Sequence, residues 1–595
     1  VGSEMCIRDR YYLLENYNSK PEIKYLVDNL ELYFVPMVNP DGYVYNQTTN
    51  PNGGGMWRKN RRDSQDGEYG VDLNRNYGYN WGYNSAGSSA NTGSDTYRGP
   101  SAFSEPETQN IRTLCNAHQF KMVLNYHTYG NLLIYPWGYM ASTYTPAPDS
   151  TAFVEYAKHL THENHYTYGT GDQTVGYVSN GTSDDWMYGE QTSKPKIYAM
   201  TPECGAASNG FWPAQSKIIG ICKENITQNL HAAHLLLKYA LVKDDEPRYI
   251  SATSGFINYT IRRLGMESPA TFTVSIIPIS ANITGVGAAK TYSSLAAFQE
   301  TKDSISFTLS GAAPGQPVEY ILSVTNGLYT KTDTIEKIFG TPTIAFSSNA
   351  NAMTGWSSST GWGVSTSTFY SSTGSITDSP SGDYASNDST RIRTASQVNL
   401  IGAISATLTY RARWEIEPRY DYAEVLVSTD NGNSYTALCG KYSKLGNAYQ
   451  DDLQPVYDGF QFPWVREEID LDAYINQNIR LRFMMRSDNY GDYDGFYFDD
   501  FKVEKLAGAT AVHETSTGLS FSISPNPSSG EFKVQGLNFN VEKIVVTDVL
   551  GNLVKTTGIT NQSSVVDLSG NPKGIYFIKA IDENGGYGVK KILIQ

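Results

Sequence analysis

Apolar residues follow one rhythm up to about residue 240 and another beyond it. Leu32–Val38 (LYFVPMV) is a short continuous apolar run stopped by Asn39-Pro40-Asp41-Gly42, which predicts a buried strand ending in a turn. A helix is predicted over Glu105–His118, capped by Ser104, followed by a strand over Lys121–Tyr126. Further helices are predicted over Ala152–His165 and Ile218–Tyr239. Such alternation implies a mixed or parallel sheet covered by helices. After Pro247 the helical spacing fades and Ser/Thr-rich alternation takes over, with strands such as Ala423–Ser428 and Ile479–Met485 and hairpin chemistry at Asp430-Asn431-Gly432.

The expected fold class is multidomain: an α/β domain with a mixed sheet flanked by helices, followed by all-β sandwich and jelly-roll domains. A chain of 595 residues is too long for one core. The α/β domain is placed at 11–244, an immunoglobulin-like sandwich at 248–340, and a larger β domain at 345–505. A linker at 506–520 and a last small β domain at 521–595 complete the chain. Residues 1–10 (VGSEMCIRDR) lack the order of a signal peptide and read as a non-native leader. The expectation is that the N-terminal part of the α/β domain is missing, and any signal peptide with it.

Charged residues make up only 18% of the chain, while Tyr (44) and Gly (53) abound, a balance that suits extracellular β-rich proteins. The net charge of −14 excludes non-specific nucleic-acid binding, which needs a basic face. No apolar run approaches the length of a membrane span. The five cysteines form no CxxC pair, which rules out a cysteine zinc cluster; Cys204 and Cys222 are either one bridge or two buried thiols.

Three places carry candidate chemistry. MWRKNRR and GVDLNRNYG, within Met56–Gly78, concentrate arginines and amides beside Gly-rich sequence, as a carboxylate grip requires, although a solvated basic loop has the same composition. His127 ends the strand Met122–Tyr126, where α/β folds place ligands, but a structural histidine fits there too. Glu203 in YAMTPECG follows another apolar strand and is either a general base or a capping carboxylate.

In order, NPDG, WRKNRR, VDLNRN, HTYGNLLIYPWGY, SDDW and TPECG resemble the M14 zinc carboxypeptidase family, with the flavour of its carboxypeptidase T branch, over residues 11–240. The resemblance implies that His127 is a zinc ligand, that Glu203 is the general base and acid, and that Arg58 stabilises the oxyanion. It further implies that Asn74 and Arg75 hold the substrate's C-terminal carboxylate, that Tyr177 closes over it, and that Tyr129 lines a neighbouring subsite. Asp184 falls at the base of the specificity pocket, where an aspartate favours chain ends in Lys or Arg; its other reading is a helix cap. The family's other two zinc ligands belong to an HxxE motif, which is absent from Tyr11–Val38, so the chain as written is expected to bind Zn²⁺ poorly and hydrolyse little. His159, His162 and His165, together with His231 and His234, read as solvated helix faces.

The phrases ITDSPSGDYASNDST and YGDYDGFYFDDF resemble the MAM-like or immune-inhibitor-A-like jelly rolls of secreted proteases. Asp421, Asp492, Asp494, Asp499 and Asp500 there are candidate Ca²⁺ ligands or plain turn aspartates. SISPNPSSGEFKV, VVTDVLGNLV, GIYFIKA and KKILIQ resemble the type A sorting domain of type IX secretion, which implies a secreted or surface protein whose partners are peptide substrates and the type IX machinery. The leading expectation is a secreted metallocarboxypeptidase. A surface adhesion or binding protein built on a dead peptidase domain is the alternative, and an endopeptidase is disfavoured by the Asn74–Arg75 clamp.

Overall fold

A computed structural model describes residues 2–447, 449–508, 521–536, 541–559, 563–583 and 587–595. The chain divides into two compact units, one of Val1–Glu246, Ser254–Ser310 and Val318–Glu336, the other of Pro247–Thr253, Gly311–Pro317 and Lys337–Gln595.

The first unit opens with helices α1 (Gly2–Asn16), α2 (Pro21–Asn29) and α3 (Pro40–Thr49). Helix α4 (Pro106–Ala117) leads into strand β1 (Met122–Leu124), then β2 (Leu132–Ile134), helix α5 (Asp149–Leu160), β3 (Thr167–Gly169), α6 (Gly171–Thr174), α7 (Ser183–Gly189), β4 (Tyr198–Glu203) and α8 (Gln215–Leu235). The sheet runs β1-β4-β2-β3 and is mixed: β1 lies parallel to β4, β2 antiparallel to β4, and β3 parallel to β2. Alternation along β4 serves both faces. Ala199 packs with Tyr77, Cys115 and Trp186, whereas Met200 joins Phe153, Leu160, Tyr188 and Leu235. The sheet is thus a three-layer core with helices on both sides.

Several expectations change here. Leu32–Val38 forms no strand; Tyr33, Val35, Met37 and Val38 are 38–44% exposed. Pro36 withholds a ladder donor in the middle of the run, and among the described residues β1 pairs with β4 alone. The helix expected to reach His165 stops at Leu160, and His159 is buried, stacked 4.1 Å from His231. His234 is buried as well, stacked on Tyr239; these three imidazoles are therefore packed, not solvated. Residues 2–10, set aside as a leader, are the first turns of α1, with Met5 fully buried beside Cys204 and Cys222, both free thiols.

Strand Ala240–Asp244, placed by its sequence at the end of the α/β domain, pairs instead with Ser254–Arg263 and so belongs to the following sandwich. Ser254–Arg263 pairs in turn with Glu300–Leu309, and Phe272–Pro278 pairs with Pro317–Thr325 in the facing sheet. In the second unit, two six-stranded sheets close over Trp356, Tyr410, Trp414, Phe483, Phe496, Phe498 and Phe501. A smaller pair of sheets after residue 521 encloses its own core of Phe532, Val534, Ile544, Val566 and Ile578. Most of the expected linker, 509–520, lies outside the described residues.

Candidate active site

The ends of two neighbouring parallel strands deliver the central pair. β4 stops at Glu203, which bridges His127 just beyond β1; the His127 N–H donates to the Pro202 carbonyl at 2.8 Å and the Cys204 N–H to the His127 carbonyl at 2.9 Å. Burial pushes the His127 imidazole down to about 4, helped by the Arg58 charge, so the ring is neutral with a free lone pair at physiological pH. Burial pushes the Glu203 carboxyl up to about 8, Arg58 opposing and Asp184 adding to the rise. The enclosed Glu203 Oε2 has no hydrogen-bond donor among the described residues.

The NPDG turn positions Arg58. Asn39 caps α3 by accepting the Gly42 N–H at 3.0 Å, while its amide donates to the Arg58 and Lys59 carbonyls, both at 3.0 Å. A side chain at Gly42 has no room, since its Cβ would lie 2.6 Å from the Lys59 carbonyl oxygen. The basic loop itself is mostly structural: Arg61 stacks on Tyr45, Trp57 and Tyr69, and Arg62 pairs with Glu105 at 2.8 Å. Arg58 remains, with 45% of its side chain exposed.

The hub of the cluster is Asp72, which sequence reasoning missed. Its buried carboxylate lies 2.9 Å from Arg58 and 4.0 Å from Arg75, and it accepts the Asn74 N–H at 3.1 Å. Asp72 stands in DLNRN, two residues before Asn74, where the motif alone does not mark its role. Arg75 is 5% exposed and donates to the Asn74 carbonyl at 2.7 Å; its Nε has no acceptor among the described residues. Asn74 Oδ1 accepts the Ser183 N–H at 2.9 Å, which ties this turn to the start of α7.

Asp184 and Asp185 follow at that helix start, both buried. Asp185 is engaged by the Gly138 and Tyr139 N–H groups at 2.9 and 3.1 Å, a structural role. Asp184 receives the Thr201 hydroxyl at 3.4 Å, and burial raises its carboxyl above the usual range. Thr182, not Asp184, stands at the N-cap. Tyr177 is 56% exposed; Tyr129 packs edge-on against Phe211 at 4.8 Å. A cavity of about 1220 Å³ is lined by Arg58, Asp72, Asn74, His127, Ser183 and Phe211, among others.

A zinc ion needs three protein ligands. Among the described residues the one close-set group of three metal-donor side chains is Glu417, Asp421 and Asp488, and no such group includes His127. The residues described therefore do not fit a complete zinc site. Of the five aspartates read as candidate Ca²⁺ ligands or turn residues, Asp421 falls in that close-set group. Asp421 accepts from Tyr384 at 2.7 Å and Asp492 from Ser386, whereas Asp494 bonds Tyr497. Asp499 is saturated by the Tyr370, Ser371 and Asp500 N–H groups, and Asp500 holds the Ser371 hydroxyl.

Comparison with known proteins assigns the parts. Residues 1–228 match the zinc carboxypeptidase family. Residues 372–522 match the immune inhibitor A-like MAM domain, and residues 522–595 the secretion system C-terminal sorting domain. A zinc carboxypeptidase of Saccharothrix mutabilis subsp. capreolus is 32% identical over 259 residues, covering 42% of this chain and 56% of that protein. Carboxypeptidase B of Astacus astacus is 35% identical over 202 residues, covering 33% and 63%. The solved structure of thrombin activatable fibrinolysis inhibitor is 25% identical, covers 39% of this chain and 57% of that one, and aligns with a TM-score of 0.35. The chain spans about half the length of the curated relatives it matches, 46% of a Trichophyton verrucosum metallocarboxypeptidase A-like protein.

Proposed function

We propose that the protein is an exported metallocarboxypeptidase that removes C-terminal residues from peptides, with preference for Lys and Arg. The observation that carries the reading is the Arg58–Asp72–Arg75–Asn74 network beside His127 and Glu203. Arg75 and Asn74 bind the free carboxylate of the substrate, a fork plus a neutral donor, which marks a chain end and not an internal peptide bond. Arg58 meets charge developing on the scissile carbonyl oxygen. Glu203, poised near neutrality, takes and returns a proton. Asp184 attracts a cationic side chain at the chain end, supported by its buried place near Glu203, whose carboxyl its charge pushes up.

The family implies zinc, and His127 is the residue of this chain that would ligate it. With a three-donor set lacking among the described residues, the chain by itself binds Zn²⁺ weakly and hydrolyses little, and no step is assigned to the ion. That shortage also favours a second reading, a non-catalytic domain that captures peptide C-termini. Export through the type IX machinery is supported by the match over residues 522–595.

The test is calorimetric binding of peptides ending in Lys, Leu or Lys-amide, alongside zinc content and hydrolysis. Peptides ending in free Lys are expected to bind most tightly, and amidation to remove binding. Equal affinity for the amidated peptide would sink both readings of the clamp. Hydrolysis in proportion to bound zinc separates the enzyme from the non-catalytic binder.

A further inference from the structure

The outer face of one jelly-roll sheet is basic, in a chain whose Asp and Glu outnumber its Lys and Arg by 60 to 46. Strand Asn478–Arg486 pairs on one side with Ser389–Thr394 and on the other with Tyr422–Ser428. Alternation sends Ile392, Leu481, Phe483 and Val425 into the core and leaves Arg391, Arg393, Arg480, Arg482 and Arg486 on the opposite face. The remaining charged residue of these three strands is Glu424, which is 1% exposed and 3.8 Å from Arg486, with Asp451 beside it.

Arg393 stands directly opposite Arg482 in the ladder, an alignment that sets the two Cβ atoms about 4.5–5.5 Å apart and destabilises the sheet when both side chains carry the same charge. Arg480 converges on Arg393 at Gly432, where a Cβ would stand 2.8 Å from Arg393 Nη1 and 3.5 Å from Arg480 Cδ. Burial lowers the Arg482 guanidinium below its ordinary value; Tyr435 and Glu424 oppose the shift, and the Arg391 and Arg486 charges add to it. Arg480 is held by the Thr394 and Ala395 carbonyls at 2.8 and 2.7 Å, and Arg482 lies 3.7 Å over the Tyr435 ring. The guanidinium groups of Arg391, Arg393 and Arg482 have neither a hydrogen-bond acceptor nor a paired carboxylate among the described residues.

We propose that this face binds a carboxylated polysaccharide, its uronate groups seated against Arg391, Arg393, Arg482 and Arg486. Like charges gathered at a cost to the sheet are offset by an anionic ligand that spans them. Every cation on the face is Arg and none is Lys, which suits planar carboxylates gripped through two parallel N–H···O bonds. The face offers no open ring, since Tyr435 is covered by Arg482 and no aromatic side chain points outward from Ser389–Thr394 or Asn478–Arg486. Single-stranded nucleic acid, whose bases stack on aromatic side chains, is poorly served by such a surface. Duplex DNA carries one charge per about 1.7 Å of axis, and a net charge of −14 opposes so dense a polyanion more than a polyuronate. The face lies within residues 372–522, and its ligand does not depend on the peptidase reading.

The experiment uses the full chain and soluble polygalacturonate, read by calorimetry in about 50 mM and about 500 mM NaCl, with neutral dextran and duplex DNA in parallel. Wild type is expected to bind polygalacturonate at low salt, to release it at high salt and to ignore dextran. Arg391→Gln combined with Arg393→Gln is expected to lower that affinity at least about tenfold, while the melting temperature holds or rises because repulsion is relieved. Arg391→Gln alone, at an exposed position, is expected to show a smaller loss and decides the matter if the double variant fails to fold. Arg466→Gln combined with Lys502→Gln removes the same charge from the other sheet and is expected to keep full affinity. An equal loss in that control overturns the proposal, because it would reduce the effect to net charge. So do undiminished affinity in the folded Arg391 variants, equal binding of dextran, tighter binding of duplex DNA than of polygalacturonate, or a wild type that binds no polygalacturonate at low salt.

Discussion

Asp72 shows how much of a site rests on a residue with no conspicuous chemistry of its own. It anchors Arg58 and Arg75 side by side against their mutual repulsion by attracting both, and is 2% exposed. Asp72→Asn is expected to weaken binding of a free C-terminal Lys peptide by roughly tenfold, measured by calorimetry, because two guanidinium groups lose their common anchor. Asp184→Leu is expected to invert the preference, lowering affinity for C-terminal Lys by 1–3 kcal/mol, about tenfold or more, and raising that for C-terminal Leu; a competition series with the two peptides reads the ratio. At this scale the sequence was legible where a motif names a residue, as with His127, Glu203 and the NRN turn. It was silent where a residue acts through others. Nothing in DLNRN marks Asp72 as the shared counter-ion, because that depends on how Trp57–Arg62 folds back across it.

At the scale of elements, α5 and α8 meet through imidazole rings. His159 stacks on His231, and His234 on Tyr239, with Glu22, Glu163 and Lys331 close by. Burial pushes His231 down to about 4 and His159 well below its ordinary value. Both rings take up protons more readily in the unfolded chain, so their contribution is complete above pH 6.5 and is lost as pH falls from there toward 4. His159→Phe is expected to retain the stack and to flatten the loss of urea-measured stability below pH 6.5 relative to wild type. Helical periodicity located both helices but not their partners, so these histidines read as surface when each helix was viewed alone. Leu32–Val38 erred in the opposite direction, since strong β propensity counts for little without a neighbouring ladder.

For the whole molecule, the change of rhythm near residue 240 marked the passage from α/β to all-β correctly, but five residues of strand, Ala240–Asp244, sit on the far side of the boundary. Sequence alternation says that a strand exists and leaves open which sheet receives it. The last β domain has its own core, separate from that of the jelly roll. A chain ending at residue 508 is therefore expected to lose one melting transition and keep peptide binding unchanged, which scanning calorimetry and a single titration check. One further property follows from β1, an end strand whose outer rim meets no other strand among the described residues, with the half-open apolar stretch 30–39 lining the same cavity. Such a rim is a template for backbone pairing between molecules. A net charge of −14 keeps copies apart in dilute buffer, and salt removes that protection. Turbidity and light scattering should therefore climb with ionic strength, the reverse of a protein held together by ion pairs.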